Sequence, residues 1–217
     1  MIIVFVIMAF LSGSLMFSYW LGIIVNKDIR DVGDGNPGAF NLWLAAGYKL
    51  GILGVFLDFM KGYLPLALLL ERSLISEMEL VPIGLASILG HAFSPFMRLK
   101  GGIGIAVSFG VWSAATKFKV SFAYAVILAI ILVIIKILDK EAPIFTESDG
   151  VIGGIMAVLG MYILGIYMFF KDFPNNLLAL WLGNSIILTY KNKRKLHTFI
   201  KSFSGSTDEQ NNTIIKV

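Results

Sequence analysis

The chain has 217 residues, of which 57% are hydrophobic and 15% charged, and its mean hydropathy is +0.82. A soluble domain carries about 25% charged residues, so this composition excludes an ordinary soluble globular protein. The chain has no cysteine, which excludes a disulfide framework and cysteine-based metal or redox chemistry. We assign the net charge of +4 to basic loops beside a membrane rather than to a nucleic-acid surface, so no nucleic-acid partner is expected.

Apolar segments of roughly the 20 residues needed to cross a bilayer recur along the whole chain. Backbone groups in hydrocarbon must be satisfied within the protein, so these segments are predicted to be helices. The sequence predicts an all-α, polytopic integral membrane protein with about seven transmembrane helices. The third, fourth and seventh are short, so some are expected to be tilted, re-entrant or broken. The predicted spans are residues 2–25, 50–70, 80–97, 102–116, 119–138, 150–170 and 174–190.

The first apolar segment is expected to be a retained span rather than a signal peptide, because residues 1–26 have no basic start and no clear cleavage site. Residues 26–49 form a long glycine-rich connector. We predict one membrane domain over residues 1–203 and a polar, disordered cytoplasmic tail over residues 204–217.

The basic residues predict an orientation. With seven spans, most lysines and arginines fall on one side, so the positive-inside rule places the N-terminus outside and the C-terminus in the cytoplasm of a plasma-membrane protein. The cytoplasmic set is Lys27, Arg30, Lys49, Arg98, Lys100, Lys140, Lys191, Lys193, Arg194, Lys195 and Lys201. The opposite side has Arg72, Lys117, Lys119 and Lys171, diluted by Glu71, Glu77 and Glu79.

The strongest polar signal inside a span is the pair Asp58 and Lys61 in "LDFMKG". Their i,i+3 spacing puts both side chains on one helix face, so they can pair. Unpaired charges at bilayer depth are costly, so the pair must face the bundle interior or lie near an end. Two interpretations stay open: a neutralised pair that fixes helix packing, or one wall of a polar site.

The segment "GHAFSPFMRLKGGIG" joins the third and fourth spans on the predicted cytoplasmic side. Gly101, Gly102 and Gly104 allow a tight turn whose amides could face an anion at a helix N-terminus, although close helix packing also uses glycine. His91 is either a hydrogen-bonded structural residue or a functional one, as a base or a ligand. Lys100 is either an interfacial anchor or a binding residue.

A second glycine-rich stretch, "GDGNPGAFN", contains Asp34, Asn36 and Asn41. Asparagine and glycine are common turn formers, whereas the Asp34 carboxylate would repel phosphate. His197 lies in the basic run after Tyr190, which we interpret as a solvated, membrane-facing segment. No metalloprotease, nucleophile-elbow or Walker motif is present, and no carboxylate cluster suits a metal, so no metal or cofactor is expected.

Taken in order, these segments resemble the bacterial membrane acyl-phosphate:glycerol-3-phosphate acyltransferase family (PlsY). The resemblance covers nearly the whole chain. It rests on the joint order of "GS" at 13–14, "DIRDVGDGNPGAFN" at 28–41, "GYKLG" at 47–51, "DFMKG" at 58–62 and "GHAFSPFMRLKGGIG" at 90–104. It implies a compact seven-helix bundle with its site at the cytoplasmic face. It also implies transfer of a fatty acyl group from acyl phosphate to glycerol 3-phosphate, without metal or acyl carrier.

Several positions depart from the family pattern. The family's GSGNxGATN, followed three residues later by arginine, is matched here with Asp34, Phe40 and Leu44 at the serine, threonine and arginine positions. The family's KGGKG motif reads KGGIG in this chain, so Ile103 occupies the position of the second lysine. The C-terminal histidine, asparagine and acidic residue align with Lys195, Thr198 and Thr207. The site therefore loses two positive charges and gains a negative one.

The resemblance selects the candidate site residues that this chain retains. The substrate-binding candidates are Asn36, Gly38, Asn41, Lys100, Gly101, Gly102 and Gly104. The catalytic candidates are His91, Lys100, Asp58 and Lys61.

The expected function is acyl transfer to a glycerol-phosphate-type acceptor in phospholipid biosynthesis, with membrane lipid around the protein. The alternative is a catalytically impaired paralogue that binds lipid or a membrane partner. A small transporter that uses the Asp58–Lys61 pair ranks last, because no inverted repeat is visible. Oligomeric state stays open.

Overall fold

The structure, a computed structural model, describes the backbone of residues 1–138 and 149–214 and the side chains of residues 1–138 and 152–201. Lys140 lies outside the described residues, as does the side chain of Thr207. The described secondary structure is helical, which confirms the all-α prediction. The α-helices are α1 (Ile2–Ser14), α2 (Phe17–Ile24), α3 (Ala39–Ala46), α4 (Tyr48–Glu71), α5 (Leu80–Ala92), α6 (Ile105–Thr116), α7 (Lys119–Leu138), α8 (Asp149–Phe170) and α9 (Asn175–Ile214). Short 3-10 turns occupy Ile29–Asp31 and Pro95–Met97.

Five segments within the described residues are long and apolar enough to cross a membrane: Ile2–Ile24, Tyr48–Glu71, Leu80–Met97, Lys119–Leu138 and Ile152–Phe170. The multi-pass prediction is therefore supported, while the number seven stays a prediction. The helix α6 is apolar but has only 12 residues, which is short of the roughly 20 needed for a full span.

The apolar core lies among α5, α6, α7, α8 and α9. Its large members Trp112, Tyr124, Met161 and Leu180 are fully buried. The Tyr124 hydroxyl donates a 2.7 Å hydrogen bond to the Ala157 carbonyl, which joins α7 to α8 and satisfies a buried donor. This core fixes the position of α9 against the rest of the bundle.

The outer surface is also apolar. On α7, Phe122 and Ile137 are 71% and 67% exposed. A helix that is hydrophobic on its outer face as well as its inner face is typical of a protein surrounded by lipid.

Two helix pairs approach closely through glycine. A Cβ atom at Gly13 of α1 would overlap the backbone of α5, and one at Gly90 of α5 would overlap the backbone of α1. In the same way, a Cβ atom at Gly62 of α4 would overlap the backbone of α6, and one at Gly110 of α6 would overlap the backbone of α4. Small residues at such crossings let backbones pack in contact, as is common in membrane bundles.

The first predicted span, residues 2–25, is broken between α1 and α2. The break leaves backbone carbonyls without intrahelical partners, and side chains from α4 and from the segment after α5 satisfy them. The Lys61 ammonium donates to the Leu15 carbonyl at 2.5 Å, and the Ser94 hydroxyl donates to the Ser14 carbonyl at 2.7 Å. Breaks were expected in the short segments, whereas this one lies in a long apolar run, directly after Ser12, Gly13 and Ser14.

The predicted connector, residues 26–49, contains one regular element that the sequence did not predict. The helix α3 occupies Ala39–Ala46 and packs against α4. The glycine-rich loop before it, residues 33–38, is thereby held against the bundle rather than left as a free linker.

Candidate active site

A cavity of about 560 Å³ opens where the glycine-rich loop, α4, α5, α6 and α8 meet. Asp34, Asn36, Asp58 and His91 supply its polar lining. The apolar lining includes Phe40, Val55, Phe59, Ile105 and Phe109. A cavity of this size with a few polar groups in a mostly apolar wall is typical of a small-molecule site.

The Asp58–Lys61 pair is formed, with 2.7 Å between Lys61 Nζ and Asp58 Oδ1. The two side chains are only 3% and 1% exposed. The Ser18 hydroxyl of α2 donates to Asp58 Oδ2 at 2.7 Å, a contact that the sequence did not predict. Since Lys61 also binds the broken first span and Asp58 lines the cavity, the pair both fixes helix packing and forms part of the site wall.

His91 lies near the end of α5, is buried and lines the cavity. Among the described residues its Nδ1 has no hydrogen-bond partner. The backbone N–H of Gly102 donates to the His91 carbonyl at 3.1 Å, and a Cβ atom on Gly102 would overlap the His91 imidazole. Glycine at 102 is therefore required by the close approach of the turn to this histidine.

Of the other residues of this turn, some line the cavity and one is exposed to solvent. Ile103 and Gly104 line the cavity, and Gly104 has a φ of +97°. The helix α6 begins at the cavity wall with Ile105, so its N-terminal backbone groups point a partial positive charge at this space. The Lys100 side chain is exposed and does not line the cavity.

The glycine-rich loop is organised by Asp34 and Asn41. One Asp34 oxygen, Oδ1, accepts hydrogen bonds from the Asn36 backbone N–H and from Asn41 Nδ2, each at 3.1 Å. Asn41 Nδ2 also donates to the Val32 carbonyl at 2.9 Å, and Asn41 is 1% exposed. Asn36 and Gly38 then line the cavity. Asn41 is placed to hold the loop, and Asn36 to face a ligand.

Two of the remaining substituted positions also lie here. Phe40 lines the cavity, and Leu44 is partly buried with a methyl group close to Gly33. The family pattern has polar or basic side chains at these two positions and at Ile103. In this chain that part of the site is apolar.

Three residues of α9 contact the segments that form the cavity. Lys195 forms an ion pair with Asp34. Lys191 donates to the carbonyls of Ala92 and Gly101. Asn192 is fully buried beside Gly154, a residue of the cavity lining. The sequence interpretation missed Lys191 and Asn192, because it treated the run after Tyr190 as solvated.

The solvated interpretation is correct for Lys193, Arg194 and His197, which are exposed. It is wrong for Lys191 and Lys195, whose i,i+4 spacing places them on one helix face. That spacing was the available signal. Burial lowers the pKa of Lys191 from its ordinary value, since the charged form loses hydration.

The described residues contain no group of three or more histidine, cysteine, aspartate or glutamate side chains placed to bind a metal ion. The structure brings together Asp34, Asn36, Gly38, Asp58, His91, Ile103 and Gly104 around one cavity.

Comparison with known proteins gives this cavity a context. The model of the family described as glycerol-3-phosphate acyltransferase matches residues 3–202. Glycerol-3-phosphate acyltransferase 1 of Thermotoga maritima is 35% identical over 196 residues, which cover 88% of this chain and 94% of that protein. The glycerol-3-phosphate acyltransferase of Aquifex aeolicus is 30% identical over 195 residues, which cover 90% and 93% of the two chains.

A solved structure agrees with the fold. The crystal structure of PlsY, an integral membrane glycerol 3-phosphate acyltransferase, in its glycerol 3-phosphate form superposes with a TM-score of 0.77 and 26% identity, covering 93% of this chain and 92% of that one. Its lysophosphatidic acid form gives a TM-score of 0.76 over the same shares. The helical bundle, the two glycine-rich segments and these matches show that the chain belongs to the glycerol-3-phosphate acyltransferase family.

Proposed function

We propose that this protein transfers a fatty acyl group from acyl phosphate to the 1-hydroxyl of glycerol 3-phosphate. The hydroxyl oxygen forms a bond to the acyl carbon while the bond from that carbon to the phosphate oxygen breaks. Inorganic phosphate leaves, the hydroxyl proton passes to a base or to the leaving phosphate, and lysophosphatidate remains. The observation that carries the proposal is one cavity that joins an apolar wall to two glycine-rich backbone segments.

The cavity suits both parts of the substrates. Phe40, Phe59 and Phe109 offer an apolar surface for a fatty acyl chain. The start of α6 offers a helix N-terminus, which favours a phosphate anion, and the Asn36 side chain lines the same cavity. Acyl transfer from an activated donor needs positioning and charge stabilisation more than a protein nucleophile.

His91 is our candidate base. Its imidazole lies at the cavity wall, so we assign it the proton of the attacking hydroxyl. Asp58 and Lys61 support the wall beside it as an ion pair. We assign Asn36, Gly38 and the backbone of Gly104 to substrate binding, and Asn41, Gly101 and Gly102 to shaping the two loops.

Lys100 is a further candidate for the phosphate. Its side chain is exposed at the same turn and does not line the cavity. This placement suits a contact with an entering anion better than one with the reacting carbon.

Charge bears on the choice between an active enzyme and an impaired paralogue. Repulsion between the Asp34 carboxylate and one phosphate charge 4 Å away would cost about 4 kcal/mol at an effective dielectric constant of about 20. Lys195 pairs with this carboxylate and offsets that cost. The added negative charge is therefore balanced within the site. The paralogue alternative rests on the loss of several charged positions together, and the Asp34–Lys195 pair answers one part of it.

We also propose that the site faces the cytoplasm, with the N-terminus outside. Lys195 contacts the glycine-rich loop and Lys191 contacts the turn at Gly101, so these segments lie at one end of the bundle. That end collects most of the basic residues, as the positive-inside rule expects of a cytoplasmic face.

The test is an assay of the purified full chain in bilayers with acyl phosphate and glycerol 3-phosphate. We expect lysophosphatidate and inorganic phosphate in equal amounts, and a His91→Ala variant that folds but turns over much more slowly. Phosphate release without lysophosphatidate would contradict this acceptor. Absence of both products would contradict acyl transfer and favour the impaired paralogue.

A further inference from the structure

Two lysines on α9 differ from the rest of their basic run. Lys191 and Lys195 lie one helical turn apart, so they project from the same face. Both contact segments that form the cavity, whereas the neighbouring Lys193 and Arg194 are exposed. We refer to Lys191 and Lys195 as the α9 lysine pair.

Lys191 joins the end of α5 to the turn at residues 100–104. Its ammonium donates to the Ala92 carbonyl at 2.9 Å and to the Gly101 carbonyl at 2.8 Å. Ala92 is the last residue of α5, where carbonyls lack partners within the helix. One ammonium therefore satisfies a helix end and fixes the turn that supplies Ile103 and Gly104 to the cavity.

Lys195 holds the other loop. It pairs with Asp34 Oδ2, 161 residues away along the chain, while Asp34 Oδ1 accepts the loop's own hydrogen bonds. The two side chains are 15% and 7% exposed, so the pair is largely sheltered from water. In such surroundings a lysine or aspartate that loses its partner is left as an uncompensated charge.

The approach of α9 to this position depends on a small residue in α8. A Cβ atom on Gly154 would overlap the amide oxygen of Asn192 and lie 3.0 Å from the Cδ atom of Lys195. Gly154 also lines the cavity. Asn192 is fully buried, and its Oδ1 has no hydrogen-bond partner among the described residues. The middle of α9, around Asn192, is thus packed against a residue of the cavity wall.

We propose that the α9 lysine pair positions the active site: Lys191 fixes the glycine turn, and Lys195 fixes the glycine-rich loop through Asp34. Asp34 and Lys195 act as one neutral unit, so that the carboxylate organises the loop without repelling a phosphate-bearing substrate. These are positioning residues for the acyl transfer proposed above, and the inference rests on that function for its kinetic consequences.

The structural half of the proposal is tested without activity, by amide hydrogen exchange on the full chain in lipid nanodiscs. We expect Lys191→Met to raise exchange at residues 99–104 and to leave residues 33–38 unchanged. Lys195→Met should do the reverse. Lys193→Met is the matched control and should change neither segment. Equal effects of all three variants, or no effect of the first two, would overturn the proposal.

The kinetic half is tested with acyl phosphate and glycerol 3-phosphate. Loss of one charged hydrogen-bonding group should lower kcat about tenfold in Lys191→Met, with KM values changed less than about twofold. Lys191→Arg should recover most of the rate, because a guanidinium can donate to both carbonyls. A rate loss in Lys191→Met that Lys191→Arg does not restore would contradict a positioning role.

A double-mutant cycle tests the unit of Asp34 and Lys195. Asp34→Asn and Lys195→Met should each lower kcat about tenfold, and the double variant should lose no more than either single variant. If the kcat losses of the two single variants multiply in the double variant, Asp34 and Lys195 do not act as one unit. If the wild-type protein makes no lysophosphatidate, the proposed function fails, while the exchange result still decides whether the α9 lysine pair holds the two loops.

Discussion

Two ion pairs flank the cavity, and they differ in what surrounds them. The inner pair, Asp58–Lys61, is 3% and 1% exposed and is bound to α2 and to the broken first span. The outer pair, Asp34–Lys195, is 7% and 15% exposed and joins a loop to the middle of α9. The inner pair is part of the folded bundle, whereas the outer pair sets the shape of the site. Loss of the inner pair should therefore change stability, and loss of the outer pair should change turnover.

The largest effect is expected from Lys61→Met. The substitution leaves the Asp58 carboxylate without its cation and the Leu15 carbonyl without its donor. Breaking a buried pair by removing one partner costs about 3–5 kcal/mol, so the unfolding temperature of the detergent-solubilised protein should fall sharply. Lys49→Met, an exposed lysine of the same helix, is the control. An unchanged unfolding temperature would show that the inner pair does not hold the bundle together.

A smaller effect, on activity, is expected from Gly102→Ala. The added methyl group meets the His91 imidazole, so the turn must shift relative to the catalytic candidate. We expect kcat to fall about tenfold or more, because small misplacements of reacting groups are costly. The unfolding temperature should change much less than in Lys61→Met. Full activity in Gly102→Ala would show that the position of the turn does not affect acyl transfer.

A gain of about tenfold in affinity for glycerol 3-phosphate is expected from Ile103→Lys combined with Leu44→Arg. Ile103 lies at the cavity wall and Leu44 beside the glycine-rich loop, so both new cations can reach a phosphate through charge-assisted contacts. The KM for glycerol 3-phosphate should fall while the KM for acyl phosphate changes less. An unchanged or higher KM for glycerol 3-phosphate would mean that its phosphate binds elsewhere.

The smallest effect is expected from Asp28→Asn, which removes an exposed pair. Asp28 and Arg30 are 26% and 48% exposed, and such pairs contribute about 0.2–1 kcal/mol. The hydrogen bonds from Arg30 lower the pKa of Asp28 to about 2. The pair therefore stabilises the folded state fully at any pH above the ordinary aspartate pKa of about 4. It is lost as the pH falls toward 2. Unfolding temperatures of wild type and Asp28→Asn should therefore converge in acid, and a constant difference would contradict this assignment.

The sequence predicted features that depend on local spacing. The i,i+3 separation of Asp58 and Lys61 was enough to predict their contact, and hydropathy was enough to predict a helical membrane protein. The joint order of the glycine motifs was enough for the family. Each of these signals is contained in a few neighbouring residues or in overall composition.

The features that the sequence did not predict depend on long-range packing. The break at Leu15 follows a Ser-Gly-Ser segment, but the Lys61 and Ser94 side chains that stabilise it come from distant parts of the chain. The Asp34–Lys195 contact spans 161 residues and follows only from the position of α9. Lys191 and Lys193 are chemically identical, and only the face of the helix distinguishes a buried lysine from a solvated one.

The central claim is that the cavity between the two glycine-rich segments binds the phosphate substrate, with α9 holding both segments. An experimental structure of the full chain in lipid with glycerol 3-phosphate tests it most directly. We expect the ligand inside this cavity, with its phosphate near the start of α6 and the loop around Asn36, and with Lys191 and Lys195 in contact with the two segments. A phosphate bound outside this cavity, or Lys191 and Lys195 detached from both segments, would contradict the account.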